Sequence, residues 1–356
     1  MLLDLDHKVI LVTGGAGFMG SSFIRHILSL ASFTGKVINY DALTYSGNLA
    51  NLATCDQDPR YRFIQGNILD QEFFEKILVQ AKVDVVVHFA AETHVDRSIA
   101  HALSFIETNV LGTFSLLEVV RKYPSIHFHH ISTDEVYGSL GKEGCFFEDS
   151  PYLPNSPYAA SKASSDHLVR SYAKTYGLST TISHAGNNYG PYQYPEKLIP
   201  LMILRLIHKE PLPLYGKGDQ CRDWLYVEDH SKAIETILRK GERGEVYNIS
   251  GGKDLSNLEL VKLLIHNFYF LTGIDQEELE SHIVFVQDRP GHDFRYAMDG
   301  TKMQKQLKWF PQYSLEEGLE KTVHWYLENE RWFNHLQNGE YLAFINRQYA
   351  TLQFGK

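Results

Sequence analysis

A chain of 356 residues, with 44% hydrophobic and 22% charged residues, is long enough for one large or two intimately joined domains and has no biased tract that would predict disorder. A formal net charge of −9 argues against a nucleic-acid partner, which calls for a basic patch that displaces counterions from phosphates. The three cysteines cannot all pair and show no C-x-x-C spacing, which favours a reducing, cytoplasmic compartment, and the acidic N-terminus resembles neither a signal peptide nor a membrane-spanning helix.

The first half of the chain alternates between short apolar runs and segments with helical periodicity. Strands are predicted at 9–13, 37–40, 62–65, 83–89, 127–132 and 180–184. This alternation predicts a doubly wound parallel sheet of the Rossmann type. Helices are predicted at 21–30, 101–123 and 159–176; in the last two, one apolar stripe faces the sheet and a second could meet a partner subunit.

After residue 187 the composition changes to Pro, Gly, Tyr and basic residues, which predicts a smaller lid domain. Further helices are predicted at 198–208 and 223–239, and further strands at 245–249, which could return to the main sheet, and 283–286. The lid is therefore predicted to be discontinuous. The predicted division is 1–187 and 223–250 for the Rossmann domain, 188–222 and 251–332 for the substrate-binding domain, and 333–356 for a C-terminal tail.

A glycine-rich segment, Gly14–Gly20, follows the first predicted strand and satisfies both G-x-x-G-x-x-G and G-x-G-x-x-G. Glycine lets the backbone approach a pyrophosphate and leaves the next helix N-terminus free to bind it. Asp41 follows the second predicted strand, where a carboxylate can accept both ribose hydroxyls and would repel a 2′-phosphate, so NAD is favoured over NADP. The alternatives are a structural turn at the glycines and a solvated loop residue at Asp41, whose distance from the glycines exceeds the usual ~20 residues.

Tyr158 and Lys162 form a Y-x-x-x-K pair that shares one face of a predicted helix. The ammonium can lower the phenol pKa and hold a cofactor ribose hydroxyl, which predicts a base for alcohol oxidation. This motif is common by chance, and its weight here comes from the glycine segment and from Thr133, which could hold the same substrate oxygen.

Asp134 and Glu135 lie at the end of a predicted strand, where doubly wound sheets bind ligands. Two carboxylates in one pocket need different protonation states, which burial or mutual repulsion can supply. One then donates a proton while the other accepts one, which together with a nicotinamide site predicts redox-assisted loss of water. The alternatives are two loop carboxylates or a helix cap.

A group of histidines and the basic residues of the predicted lid are further candidates for binding sites. Only the first two of His127, His129 and His130 would share a strand face, and no third ligand is evident, so core or interface histidines and no metal are predicted. Each basic residue of the predicted lid is by itself more often a solvated charge, but as a set in an acidic chain they favour a clamp for an anionic diphosphate: Lys197, Arg222, Arg289 and His292.

These motifs together resemble the extended short-chain dehydrogenase/reductase family, and within it the sugar-nucleotide 4,6-dehydratases, over residues 8 to about 330. The stretches that carry the resemblance are GGAGFMGS, YDALTYSGN, HFAAETHVDRSI, HHISTDEVYG, SPYAASKASSDH, NNYGPYQYPEKLIP, GKGDQCRDWLYVEDH and DRPGHD. The resemblance implies tightly bound NAD, a homodimer, and conversion of dTDP-glucose to dTDP-4-keto-6-deoxyglucose.

The resemblance also implies roles for matching residues. Tyr158 takes the sugar O4 proton while C4 gives hydride to NAD, with Thr133 and Lys162 assisting; Glu135 removes the C5 proton and Asp134 protonates the departing C6 hydroxyl, after which hydride returns to C6 and a proton to C5. Around the nucleotide sugar it places His94, Thr133, Asn187, Lys197, Leu198, Tyr215, Arg222, Asn257, Arg289 and His292. Around NAD it places Gly14, Gly17, Phe18, Met19, Gly20, Asp41, Thr44, Asn67, Ile68, Ala90, Ala91, Thr108, Tyr158, Lys162 and Asn188.

Two departures from the family pattern bear on the affinity for NAD and on the identity of the nucleotide base in the substrate. Asn67 stands where the family usually has Asp near the adenine, and residues 184–186 differ from the more usual Cys-Ser before the paired asparagines. The resulting Gly-Asn-Asn also resembles dehydratases of UDP-glucose, which is the alternative substrate. A 4-epimerase would not need Asp134 and Glu135, and an NAD-binding regulatory protein without activity would be expected to lack at least one catalytic group.

Overall fold

The structure is a computed structural model that describes residues 3–334 and 336. Its strands are β1 (Val9–Thr13), β2 (Lys36–Asp41), β3 (Tyr61–Gln65), β4 (Val85–His88), β5 (His127–Thr133), β6 (Thr180–Ala185), β7 (Asn187–Tyr189), β8 (Leu212–Tyr215), β9 (Cys221–Tyr226), β10 (Val246–Ile249), β11 (Asp254–Ser256) and β12 (Ile283–Val286). Its α-helices are α1 (Phe18–Ser29), α2 (Gln71–Ala81), α3 (Val95–Ala100), α4 (Leu103–Phe105), α5 (Thr113–Val120), α6 (Pro157–Tyr176), α7 (Leu198–Ile207), α8 (Val227–Lys240), α9 (Asn257–Thr272), α10 (Gln276–Glu280), α11 (Leu315–Glu328) and α12 (Glu330–Asn334).

Seven parallel strands within these residues form one sheet in the order β3, β2, β1, β4, β5, β6, β10. The predicted doubly wound sheet is confirmed, and the strand expected at 245–249 returns to it as β10. The central strands are continuous apolar runs because helices cover both faces: α1 and α8 pack on one side, and α2, α5 and α6 on the other. The strand order reverses between β1 and β4, which opens a crevice at their carboxyl ends.

The smaller part of the chain contains two short sheets and a second core. β11, β9 and β7 form one sheet, and β12 pairs in parallel with β8. Helices α7, α9 and α11 pack against them. The strand predicted at 283–286 is confirmed. The division into domains at the predicted boundaries stays a prediction, and the predicted tail 333–356 lies outside the described residues except for positions 333, 334 and 336.

The helix predicted over 223–239 is wrong at its start. Residues up to Tyr226 belong to β9, and the helix begins at Val227. Trp224 and Tyr226 are buried in the core of the smaller part, whereas Leu225 joins the core of the main sheet. Alternate side chains of this segment therefore enter two different cores. A strand allows this because its successive side chains point to opposite faces.

The helix predicted over 101–123 is a helical run, Leu103–Val120, whose middle turns at Ile106–Gly112 are π-helical. Within the described part of the chain it is the segment long and apolar enough to cross a membrane by length and composition. Half of it is buried inside the molecule, where it contributes to the core on the α6 side of the sheet, as a core helix does.

Candidate active site

A cavity of about 290 Å³ lies in the crevice at the carboxyl ends of the main strands. Its lining contains each of the fifteen residues predicted for the cofactor and each of the five predicted for catalysis. Of the residues predicted for the substrate, Thr133, Asn187 and Lys197 line this cavity. The structure therefore brings the predicted cofactor and catalytic groups into one place.

The glycine segment divides into a structural part and an open part. Gly14 has φ +69°, and a Cβ there would lie 2.6 Å from the backbone nitrogen of Ala90. Gly17 is the N-cap of α1 without a side-chain cap, and a Cβ there would meet only the Gly14 carbonyl, at 3.3 Å. A Cβ at Gly17 would otherwise occupy the cavity, so the exposed helix N-terminus fits the pyrophosphate of NAD.

We expect Gly17→Ala to fold normally and to weaken NAD retention at least tenfold in Kd, about 1.4 kcal/mol, because the added methyl occupies the space that the pyrophosphate needs. The measurement is the NAD content of the purified protein and its affinity for added NAD. Gly141→Ala is the matched control, since a Cβ there has no neighbour within 4 Å. Equal NAD content in both variants would contradict the assignment.

Asp41 is a buried residue at the end of β2, so the alternative of a solvated loop residue is wrong. Its carboxylate accepts hydrogen bonds from the backbone N–H groups of Ala16 at 2.9 Å and Leu43 at 2.8 Å. Burial raises the pKa of Asp41, and these two hydrogen bonds oppose that rise. Asp41 thus fastens the glycine turn and also borders the cavity, where its remaining lone pairs can accept ribose hydroxyls.

The end of β5 places three polar side chains at the cavity. Thr133 caps the short 3₁₀ turn Asp134–Tyr137: its Oγ1 accepts from the Glu135 N–H at 3.3 Å and donates to Asp134 Oδ1 at 3.1 Å. Asp134 is buried, and its Oδ2 has no hydrogen-bond partner among the described residues. Thr133 is thus the cap of this turn and neither carboxylate is, and one Asp134 oxygen is left available to a ligand.

The two carboxylates have different electrostatic surroundings. Burial, then the charges of Glu135 and Asp223, raise the pKa of Asp134 well above its ordinary value. Burial also raises the pKa of Glu135, but Arg289, Arg222 and Lys197 oppose that rise. Neighbouring charges thus add to the rise in the pKa of Asp134 and oppose the rise in the pKa of Glu135, which separates the two carboxyls.

Tyr158 and Lys162 project from the first turns of α6 into the same cavity. Lys162 Nζ donates to the Ile131 carbonyl at 2.7 Å, and burial lowers the pKa of Lys162 to about 8. Burial, then Glu135, raise the pKa of Tyr158, and a hydrogen bond with Thr133 opposes them, so a lowering of that pKa by Lys162 stays a prediction. The dominant influences on the phenol are desolvation and the neighbouring carboxylates.

Seven of the ten residues predicted for the substrate are not part of the cavity lining. Asp96 joins two of them, since its carboxylate oxygens lie 3.4 Å from Arg289 Nη1 and 3.3 Å from the Tyr215 hydroxyl. The Tyr215 ring packs against His292, whose Nδ1 lies 2.6 Å from Asp288 Oδ1; burial, then Arg289, lower the pKa of His292 to about 4, and Asp288 opposes them. The predicted residues outside the lining are His94, Leu198, Tyr215, Arg222, Asn257, Arg289 and His292.

Sequence reasoning missed Glu92 and Glu196, which also line the cavity. Glu196 is buried and accepts from the Tyr45 hydroxyl at 2.8 Å and from Arg97 Nε at 3.1 Å. Its position next to Lys197, between prolines, is a local signal for a constrained loop, but only the tertiary structure shows that the carboxylate faces inward.

The three histidines of β5 are buried, as predicted for core histidines. His127 bonds through its two ring nitrogens to Ser179 and Thr181, both at 2.9 Å, and His129 Nδ1 lies 2.8 Å from the same threonine oxygen. His130 points to the opposite face of the sheet.

Known proteins match almost the whole chain. Residues 11–322 match a family model described as GDP-mannose 4,6 dehydratase. A dTDP-glucose 4,6-dehydratase of Neisseria meningitidis is 50% identical over 347 residues, covering 94% of this chain and 97% of that protein. One from Salmonella typhimurium is 47% identical over 367 residues, covering 97% and 99%. The chain belongs to the dTDP-glucose 4,6-dehydratase family.

Solved structures agree with membership of the dTDP-glucose 4,6-dehydratase family. The enzyme of that name from Bacillus anthracis, in complex with NAD, superimposes with a TM-score of 0.84 at 48% identity, covering 93% of this chain and 100% of that one. A UDP-glucose 4-epimerase from Thermotoga maritima superimposes with a TM-score of 0.81 at 32% identity, covering 90% and 99%.

Proposed function

We propose that this chain is an NAD-dependent hydro-lyase that converts dTDP-glucose to dTDP-4-keto-6-deoxyglucose. The observation that carries the proposal is the convergence of Asp134, Glu135, Tyr158 and Lys162 on one cavity that also contains the glycine turn. An epimerase would need the tyrosine and the lysine without the carboxylate pair. The substrate is that of the relatives that are 47–50% identical over nearly their full length.

The oxidation step uses the residues at the start of α6 and the end of β5. When bound, NAD supplies a reversible acceptor for hydride, taken from the sugar C4 and returned at C6. Tyr158 removes the proton from O4, and Thr133 holds the same oxygen. Lys162 supplies a positive charge near the phenol and a donor for a ribose hydroxyl. Each of these side chains is largely buried, which excludes water from the reacting alcohol.

The elimination step uses the difference between the two carboxylates. A ketone at C4 acidifies C5, so Glu135 can remove the C5 proton while the cations around it keep it ionised. Asp134 retains a proton and donates it to the departing C6 hydroxyl. Arg222, Arg289 and Lys197 then have a second role, as positive charges for the diphosphate of the substrate.

The test is mass spectrometry of the products formed from dTDP-glucose and UDP-glucose in separate reactions without added NAD. Loss of one water from only the dTDP sugar is the expected result. Loss of water from the UDP sugar would support the mechanism but change the assignment of the nucleotide base in the substrate. If neither sugar loses water after NAD is supplied, the proposed roles of Asp134 and Glu135 fail.

We further infer a cytoplasmic homodimer. Cys55, Cys145 and Cys221 are free thiols, which suits a reducing compartment.

The helical run 103–120 exposes four large apolar side chains, and Tyr176 at the end of α6 is exposed as well. An exposed apolar face of this kind suits a two-fold interface between identical subunits. The exposed side chains of the run are Leu103, Ile106, Leu111 and Phe114.

We expect Leu111→Arg to convert the dimer to a monomer at micromolar concentration, because a charge at the centre of an apolar interface is left without a partner. Light scattering after size-exclusion chromatography gives the mass. Phe285→Arg is the control, since Phe285 is equally exposed, at 53% against 48%, but lies on β12 in the smaller part of the chain. A monomeric mass for the unsubstituted protein would contradict the dimer.

A further inference from the structure

A buried polar network lies behind the catalytic end of β5, and the reaction described above does not use it. Its centre is Asp166, which lies on α6 one turn beyond Lys162 and on the same face. Asp166 Oδ2 accepts a hydrogen bond from Ser132 Oγ at 2.8 Å and lies 2.9 Å from His184 Nε2. The side chains of Asp166, Lys162, Ser132 and His184 are all buried. Ser132 also lines the cavity next to Thr133.

Both ring nitrogens of His184 have hydrogen-bond partners. Asn248 donates through Nδ2 to the Phe146 carbonyl at 3.2 Å, so its Oδ1 is the atom that accepts the Tyr137 hydroxyl proton, at 2.9 Å. A tyrosine hydroxyl has one proton, and therefore the Tyr137 oxygen accepts from His184 Nδ1 at 2.8 Å. His184 Nε2 donates to the carboxylate of Asp166. Nε2 faces the Asp166 carboxylate and Nδ1 faces the Tyr137 oxygen, so both ring nitrogens are placed to donate.

We propose that Asp166 and His184 form a buried ion pair that positions the catalytic machinery. Asp166 holds Ser132, and with it the end of β5, and it supplies the negative charge that faces Lys162. The inference rests on the proposed function, since it assigns the pair to that site. Neither Asp166 nor His184 lines the cavity, so both are positioning residues.

The charges around the pair are consistent with this role. Burial by itself would raise the pKa of Asp166, but the contacts with His130 and His184 reverse the direction and lower it, so the carboxylate is ionised. His130 Nε2 lies 3.2 Å from Asp166 Oδ1, and burial lowers the pKa of His130 to about 4, which leaves that ring neutral. The Tyr152 hydroxyl, 2.9 Å from His184 Nε2, completes the contacts from the segment before α6.

Lys162 depends on this carboxylate. Burial lowers the pKa of Lys162 to about 8, and Asp166 is the charge that opposes the decrease. Tyr158, one turn earlier on α6, and the buried His130 and His88 also lie near Lys162, and burial holds the pKa of His88 well below its ordinary value. Asp166 therefore faces two groups, the Lys162 ammonium, whose charge it stabilises, and the His184 ring of the proposed ion pair.

Two substitutions are expected to move the alkaline limb of the kcat–pH profile in opposite directions. Activity that needs the Lys162 ammonium is lost as the pH rises through the pKa of Lys162. Asp166→Asn removes the attracting charge and should move this limb to lower pH by about one unit or more. His184→Gln removes the competing cation and should move it to higher pH, and neither change should alter the KM for dTDP-glucose more than about threefold.

Asp229→Asn is the control, because Asp229 is equally buried, accepts hydrogen bonds from the backbone of Gln312 and Tyr313, and is not part of the cavity lining. It should lower the melting temperature without moving the pH profile. Nitrogen NMR at neutral pH gives a second readout: one imidazolium signal of the unsubstituted protein should disappear in His184→Gln and lose its doubly protonated signature in Asp166→Asn. Coincident profiles for all variants, or a neutral His184 ring, would overturn the inference, whereas no turnover by the unsubstituted protein would overturn the proposed function instead.

Discussion

Glu135→Gln is expected to stop the loss of water while substrate still reduces the bound cofactor. The amide cannot remove the C5 proton, and loss of a general base typically reduces the rate about 10²–10⁴-fold. Oxidation at C4 should continue, because Tyr158, Lys162 and Thr133 are unchanged. Absorbance of reduced NAD in a single turnover, followed by mass spectrometry of the sugar, measures the two steps separately.

Asp134→Asn is the matched variant one residue earlier. It keeps the base, so the C5 hydrogen should exchange with deuterated solvent, but the C6 hydroxyl lacks its proton donor and water should remain attached. Burial and the neighbouring charges that hold the proton on Asp134 are the reason for this assignment. If Glu135→Gln formed product at the original rate, Glu135 would have no part in the elimination.

Tyr158→Phe is expected to abolish the first step, so that substrate no longer reduces the cofactor. The phenylalanine ring fills the same buried site but cannot accept the O4 proton, and the expected loss is again about 10²–10⁴-fold in kcat. Substrate affinity should change little, since the diphosphate contacts lie elsewhere. Stopped-flow absorbance after mixing with dTDP-glucose measures the step.

Tyr189→Phe is the control for the loss of a buried hydroxyl. Tyr189 is fully buried and donates to the Leu315 carbonyl at 3.3 Å, in the core of the smaller part. This variant should lose some stability and keep its oxidation rate. Rapid cofactor reduction by Tyr158→Phe would require another base, and the proposed role of Tyr158 would then be wrong.

The sequence predicts the parts of this protein whose signals are local. The glycine turn, the Tyr158–Lys162 spacing and the apolar strands each appear within a few residues, and the structure brings the predicted cofactor and catalytic residues to one cavity. The predicted helix start at residue 223 is wrong because the side chains of β9 pack into two cores on opposite faces of the strand. No local sequence pattern reveals this packing.

The same limit applies to protonation. Y-x-x-x-K spacing predicts an effect of Lys162 on the pKa of Tyr158, but burial and Glu135, which is distant in sequence, also act on that pKa and raise it. Asp166 is part of a motif stretch, yet its partners come from two strands, through Ser132, His130 and His184. Such networks depend on the register of β5 and β6, which follows from the whole sheet.

The return of β10 to the main sheet has a consequence for folding during synthesis. β6 has β5 on one side, and its other edge stays unpaired until residues 246–249 leave the ribosome, after the whole segment from β7 to α8 has emerged. An open edge of a buried strand is a template for pairing with other chains. A nascent chain halted before residue 246 should therefore aggregate or bind chaperones, whereas one that extends past 249 can close the sheet.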